Sequence, residues 1–177
     1  MMWQQLKQDL QAQSNGGSRA IRLKIALLNH NFHLVFFIRL GMACRKIPLL
    51  GRLLQHLLEY FIRVVYASDI SCAATIAGGL NIMHGHDIVI GSGAVIGPNC
   101  KIFNGVTLGN KDTESTVIAQ PVLEEGVIVG TGAKLLGQIR IGAHAKIGAN
   151  SVVVKDVPAG EVWAGVPARR IRQDGGM

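Results

Sequence analysis

A six-residue aliphatic beat runs through the C-terminal two-thirds of the chain and limits the possible folds more than any other feature. Aliphatic residues recur at Ile70, Ile76 and Ile82, then, after a slip of two residues, at Ile90, Ile96, Ile102 and Leu108. The beat resumes at Leu123, Val129, Leu135, Ile141, Ile147 and Val153. A period of six is neither the ~3.6 of an amphipathic helix nor the ~2 of a half-buried strand. It fits short strands stacked coil upon coil in a β-helix, with one aliphatic per hexad in a central column. Small or β-branched residues four places on, at Ala94, Cys100, Val106 and Ala133, are expected inside the corners. Gly91, Gly97, Gly109, Gly130, Gly142 and Gly148 each directly follow an aliphatic and are expected to allow turns with unusual φ. The many Gly and β-branched residues of this region argue against helix.

The expected organisation is an N-terminal helical region over residues 1–66, a β-helix over 67–161 and a C-terminal tail over 162–177. Residues 1–18 are polar, which predicts a short helix ending at Asn15-Gly16-Gly17-Ser18 and no secretion signal. Residues 19–40 are apolar and helical in pattern, interrupted by His33 and Arg39, and no stretch reaches ~18 apolar residues. Gly41 and Pro48 punctuate. Residues 49–66 read as an amphipathic helix with Leu50, Leu53, Leu54, Leu57, Leu58 and Phe61 on one side. That side needs a partner, for which its own solenoid, another subunit and a membrane surface are candidates.

Charge falls unevenly between these regions. Residues 1–66 hold nine Lys and Arg against Asp9 and Glu59, whereas the rest hold nine of each sign, so the net charge of +7 belongs to the helical region. A solvated basic face accounts for it, as does attraction to anionic headgroups or an anionic substrate. No nucleic-acid motif accompanies it. Cys44, Cys72 and Cys100 have no metal-ligand spacing; Cys72 and Cys100 fall at or near core positions of the repeat and read as buried apolar residues, and the expected setting is a reducing cytoplasm without disulfides.

Between Leu108 and Leu123 the spacing is 15, so residues 110–121 are expected to leave the coil as a loop. Loops on rigid scaffolds tend to carry binding groups. Around this loop stand Asn31-Phe32-His33, Asp69-Ile70, the segment Met83-His84-Gly85-His86-Asp87-Ile88-Val89-Ile90-Gly91, Gly105-Val106-Thr107-Leu108-Gly109 and Ala164-Gly165-Val166-Pro167-Ala168-Arg169. In this order, over residues 20–172, the set resembles the serine acetyltransferase branch of the hexapeptide-repeat acyltransferases.

The resemblance implies a left-handed parallel β-helix assembled as a homotrimer, or as a hexamer through the N-terminal helices. Its active sites would lie between subunits, with acetyl-CoA as donor and no metal. It implies His84 as general base, oriented by Asp69. An imidazole of pKa about 6.5 suits removal of a hydroxyl proton near neutral pH. A carboxylate on its far nitrogen fixes the tautomer and stabilises the imidazolium. It further implies Gly109, Thr131 and Ala149 as contacts to the pantetheine arm, and Lys155 and Arg169 as partners of the CoA phosphates. His86 and His144 read as turn residues, His30, His33 and His56 as members of the helical layer, and Asp87 as holding the turn through an Asx bond.

Two departures bear on the acceptor. Members of this family carry Asp before the catalytic His and an Arg-His pair before the loop Pro; here stand Met83 and Ala119-Gln120. Those charged groups hold the ammonium and carboxylate of serine, and an unmet buried charge is costly. The expected acceptor is therefore a sugar hydroxyl in capsule, exopolysaccharide or O-antigen synthesis, contacted by Met83, Asn110, Gln120 and the hydroxyls of Thr113, Ser115 and Thr116. A lipid-linked glycan at the inner face of the membrane would suit the basic helical region. Serine acetylation is the alternative. Many serine acetyltransferases end in an Ile that docks into the next enzyme of cysteine synthesis; the last residues here, Asp174-Gly175-Gly176-Met177, show none.

Overall fold

The computed structural model describes residues 2–112, 114 and 116–173, so Thr113, Ser115 and residues 174–177 lie outside the described residues. Four helices come first: α1 (Met2–Gln13), α2 (Arg19–Leu28), α3 (His30–Cys44) and α4 (Gly51–Tyr66). The apolar run from residue 19 is two helices, not one. The side chain of Asn29 accepts the Phe32 N–H and caps α3, and the axes of α2 and α3 bend by 75° at that point. Gly41 does not end α3. It lies where a Cβ would meet Cys72, so it serves close contact with the solenoid.

The solenoid follows. Its first coil is β1 (Asp69–Ile70), β2 (Thr75–Ile76) and β3 (Asn81–Met83), and its second β4 (Val89–Ile90), β5 (Val95–Ile96) and β6 (Lys101–Phe103). The third is β7 (Thr107–Gly109), β8 (Val122–Leu123) and β9 (Ile128–Val129), and the fourth β10 (Lys134–Leu136), β11 (Arg140–Ile141) and β12 (Lys146–Ile147). A fifth holds β13 (Val152–Val153), a bridge from Val157 to Ile141, and β14 (Glu161–Gly165), which turns into the antiparallel β15 (Ala168–Gln173). Like strands stack in parallel to form three faces: β1-β4-β7-β10-β13 is face I, β2-β5-β8-β11 face II, and β3-β6-β9-β12-β14-β15 face III. The predicted inward column is present: Ile70, Ile76, Ile82, Ile90, Ile96, Ile102 and Leu108 are at most 2% exposed. Ala94, Cys100, Val106 and Ala133 fill the corners.

Register explains both breaks in the beat. Asp69 pairs with Val89, Val89 with Thr107, Thr107 with Lys134, and Lys134 with Val152, so successive coils hold 20, 18, 27 and 18 residues. The two extra residues of the first coil lengthen the turn after β3. The nine extra residues of the third form the loop between β7 and β8.

The expectation for the hexad glycines is corrected. Gly91, Gly97, Gly130, Gly142 and Gly148 are absent from the positive-φ positions, which fall at Asn99, Gly126, Gly132, His144 and Asn150 within the turns. Gly97, Gly130, Gly142 and Gly148 are needed because the next coil passes close by, whereas a Cβ on Gly91 would meet the Gln120 side chain and one on Gly109 only Thr107 Cγ2 at 3.6 Å. A Cβ on Gly130 would stand 2.8 Å from the Ala149 nitrogen and 2.9 Å from the Ile147 oxygen.

The helical layer docks on the first coil. Leu34, Val35, Ile38, Ile62 and Tyr66 join the solenoid core. Arg39 and Asp9 form a buried ion pair between the helices. Arg39 Nε and Nη2 donate to the two carboxylate oxygens of Asp9 at 2.9 and 3.0 Å, and Nη1 and Nη2 donate to the carbonyls of Ile76 and Ala77. Asp9 in turn accepts the Leu80 N–H. The leucine side of α4 is not turned into the chain's own solenoid: Leu50, Leu53 and Leu57 are more than half exposed, while Ile62 and Tyr66 face inward. Cys44, Cys72 and Cys100 are free and buried.

Candidate active site

The lengthened turn places His84 at the corner where face III passes into face I. β3 ends at Met83, and the chain reaches β4 only at Val89. His84 and Asp87 both take left-handed backbone, φ +57° and +56°. The His86 N–H closes a tight turn onto the His84 carbonyl at 2.7 Å, and the Asp87 N–H donates to Ala67. Asp87 thus helps hold the turn through its backbone; among the described residues its side chain forms no Asx bond. The His84 ring is exposed.

Asp69 opens β1 at the same corner, one circuit away. Its N–H donates to the Ile88 carbonyl and thereby joins the end of the His84 turn. The carboxylate is exposed, and Oδ1 accepts from Arg63 Nη2 at 2.6 Å. That bond, with the attraction of the two charges, raises the Arg63 pKa above its ordinary value. Sequence reasoning missed Arg63, which lies six residues before Asp69 at the end of α4; only its position in the last helical turn hinted at a role. Oδ2 of Asp69 is left for a second donor.

Up the same corner, one coil above another, stand Asn104-Gly105, Thr131-Gly132 and Ala149-Asn150. The Gly105 N–H donates to His86, Gly132 to Asn104 and Asn150 to Thr131. The Thr131 hydroxyl donates to the Asn104 side chain, and Lys134 Nζ to the Gly105 carbonyl. Among the described residues the N–H groups of Thr131 and Ala149 donate to nothing in the chain. The corner therefore offers two free, stacked amide donors beside small residues, which fits the amide-and-thioether character of a pantetheine arm.

Other candidates fall elsewhere. Gly109, the loop and Lys155 occupy the corner between faces I and II. Asn110 closes the loop neck: its Nδ2 donates to Val117 and its Oδ1 accepts from Ala119. Gln120 Oε1 accepts the Gly93 N–H at 2.9 Å and staples the loop base to the second coil. Both amides expected to contact substrate thus bind the loop's own frame. Lys111, Asp112 and Glu114 are its exposed charges. Met83 is half-buried at the end of β3, Lys155 is exposed, and Arg169 lies on β15 with Nη1 donating to the Ala168 carbonyl. His144 stacks above Gly126 in the corner between faces II and III, and His33 Nε2–H donates within its own layer to the Ala26 carbonyl, 3.0 Å away.

A family model for the bacterial transferase hexapeptide (six repeats) matches residues 120–155. A serine acetyltransferase of Bacillus pumilus is 35% identical over 179 residues, covering 99% of this chain and 80% of the relative. One from Synechococcus elongatus is 40% identical over 131 residues, 74% of this chain and 52% of the relative. The chain thus spans about half the length of several curated relatives it matches. Among solved structures, a serine acetyltransferase of Brucella abortus in complex with coenzyme A superposes with a TM-score of 0.89 at 34% identity, covering 99% of this chain and 69% of the other.

Proposed function

Because this chain belongs to the serine acetyltransferase family of hexapeptide-repeat acyltransferases, we propose that it is an acetyl-CoA-dependent O-acetyltransferase whose acceptor is L-serine. The observation that carries the reading is the near full-length match to the Bacillus serine acetyltransferase, joined to His84 and Asp69 on one solenoid corner. His84 removes the acceptor's hydroxyl proton as the oxygen attacks the thioester carbonyl. The C–S bond then breaks, and the imidazolium returns its proton to the leaving thiolate. Asp69, through its free oxygen, holds the imidazole tautomer. The stacked Thr131 and Ala149 amides receive the pantetheine arm. Trimeric assembly supplies a neighbour's loop to this corner, since within one chain the loop lies at a different one. Its Lys111, Asp112 and Glu114 carry both signs that an amino-acid zwitterion requires.

One observation favours a second reading. Met83 and Gln120 put no charge where the family holds serine, and the Gln120 oxygen is committed to Gly93. An uncharged acceptor such as a sugar hydroxyl needs none. The sugar reading has no support from the Bacillus pumilus and Synechococcus elongatus relatives, both of which are serine acetyltransferases.

The test is thiol release from acetyl-CoA with L-serine, nucleotide sugars or lipid-linked glycans, each against His84→Ala. Serine-dependent release that vanishes in the variant sustains the first reading. Release with glycans alone replaces it with the second, and release that persists in His84→Ala overturns the assignment of the base.

A further inference from the structure

We propose that Asn31 is a positioning residue that sets the His84 imidazole from the helical layer; the inference rests on His84 being the base. The turn carrying His84 has two residues more than its counterparts, so the ladder does not fix its first half. Ser68 and Ala67 bind only its far end, at Ile88 and Asp87. The peptide joining His84 to Gly85 is held by one group from outside the turn: its N–H donates to Asn31 Oδ1 at 2.8 Å, across 54 residues of sequence. Asn31 stands in the first turn of α3, and Leu34 follows one turn later on the same side of the helix. A Cβ added to Gly85 would come within 2.7 Å of Leu34 Cδ2 and 3.4 Å of Asn31 Oδ1. The helix therefore closes over this peptide with a hydrogen bond and a methyl group together.

The arrangement has a mechanical consequence. His84 occupies left-handed backbone, which is unfavourable for a residue with a Cβ and persists only where surroundings impose it. Fixing the peptide that follows His84 fixes its ψ, and with φ set by β3 the Cα–Cβ direction is determined. Without the Asn31 bond, the peptide between His84 and Gly85 keeps only the His86-to-His84 turn bond and the Leu34 contact, and the imidazole loses its aim at the acceptor oxygen. The helical layer thus takes part in the chemistry without touching substrate.

Two variants separate this role from simple stabilisation. Asn31→Ala removes the acceptor. Asn31→Asp keeps an acceptor oxygen in the same place and adds a negative charge one peptide from His84. An added carboxylate favours the imidazolium and raises the pKa of His84. A base works unprotonated, so the acid limb of kcat/KM moves to higher pH. The other ionisable groups around the corner, Asp69 with Arg63, His30 stacked on Tyr66, His86 and Asp87 in the turn, and Lys134 on the Gly105 carbonyl, are the same in both variants.

The experiment measures kcat, KM for acetyl-CoA and the pH profile, together with an NMR titration of the His84 ring, assigned by its loss in His84→Ala. Asn31→Ala is expected to lower kcat by about tenfold to a hundredfold, the scale of a small misplacement of a reacting group, with KM little changed. Asn31→Asp is expected to recover most of kcat while the His84 midpoint and the acid limb rise together. A kcat unchanged in Asn31→Ala, or a His84 midpoint unmoved by Asn31→Asp, overturns the proposal. The titration needs no turnover, so a failure of the acetyltransferase reading is seen separately, as wild-type protein that transfers acetyl to no acceptor.

Discussion

Replacing Asp9 with Ala tests whether α1 is fastened to the solenoid by a buried ion pair. Both partners are about 1% exposed or less, and the Arg39 guanidinium makes two bonds to Asp9 and two to main-chain carbonyls. Removing one member of a buried pair leaves an unmet charge and costs about 3–5 kcal/mol. Asp9→Ala also strands the Leu80 N–H, although the two losses share one site and do not simply add. Domains of this kind are stable by about 5–15 kcal/mol, so the loss is a large fraction of the whole. Urea unfolding at fixed protein concentration reads it as a fall in midpoint. With a slope of about 2 kcal/mol/M the shift is about 2 M. Arg39→Met should cost a similar amount. The double variant Asp9→Leu/Arg39→Met buries no charge and should cost less than the two single changes together. A single change costing under about 1 kcal/mol, or a double equal to the sum of the singles, refutes the account of the pair as a coupled, desolvated unit.

Three further outcomes are expected. Arg140 Nη1, first, and then the Ala143 N–H hold the Glu124 carboxyl below its usual 4.5. Its contribution to stability is therefore complete above that value and lost as pH falls through the lowered one; the Tm gap between wild type and Glu124→Gln should close in that window, and a gap unchanged from pH 7 to pH 3 contradicts the assignment. Burial pushes the Cys72 thiol up to about 12 and the Cys100 thiol up to about 11, so both should resist a thiol reagent at pH 8 until the protein is unfolded; rapid reaction of either in native protein would show that it is not enclosed. Gly130→Ala should destabilise by about 1–3 kcal/mol because its methyl meets the backbone of the next coil, a cost read by thermal melts against wild type; an unchanged Tm would mean that the coils can part.

The parts of the fold visible in the sequence were those carried by a repeating inward position. Each hexad aliphatic sits in the same column, so the period, the two-residue slip before Ile90 and the gap before Leu123 translate directly into coils, a long turn and a loop. A glycine's reason for being there was less visible. At Gly97, Gly130, Gly142 and Gly148 the residue after the aliphatic looked like a φ requirement and proved to be a matter of distance to the next coil, which only stacking defines. Amphipathicity on α4 told which residues share a side, but not which side faces in, because that depends on Ile62 and Tyr66 meeting the first coil. At the site, His84 and Asp69 were legible as residues, and their shared corner follows from the coil length. Arg63 on Asp69, Asn31 on Gly85 and Gln120 on Gly93 were not, since each joins elements whose approach is set by packing. Met83 and Gln120 did register as lost charge, yet the relatives align with serine, so the acceptor is the point on which sequence reading and kinship part.

A parallel solenoid has a first rung with no strand beneath it, and such a rung is a template for another chain. Here the carbonyls of Ile76 and Ala77 are taken by Arg39, the Leu80 N–H by Asp9 and the Cys72 N–H by Glu59. Side chains from α1, α3 and α4 thus complete the hydrogen bonds a missing coil would have made, without offering a backbone edge of their own. The helices act as a terminator: they let a fold built on repetition begin at one defined place, and they deny the same surface to head-to-tail fibre growth, which light scattering of an Asp9→Ala sample would reveal.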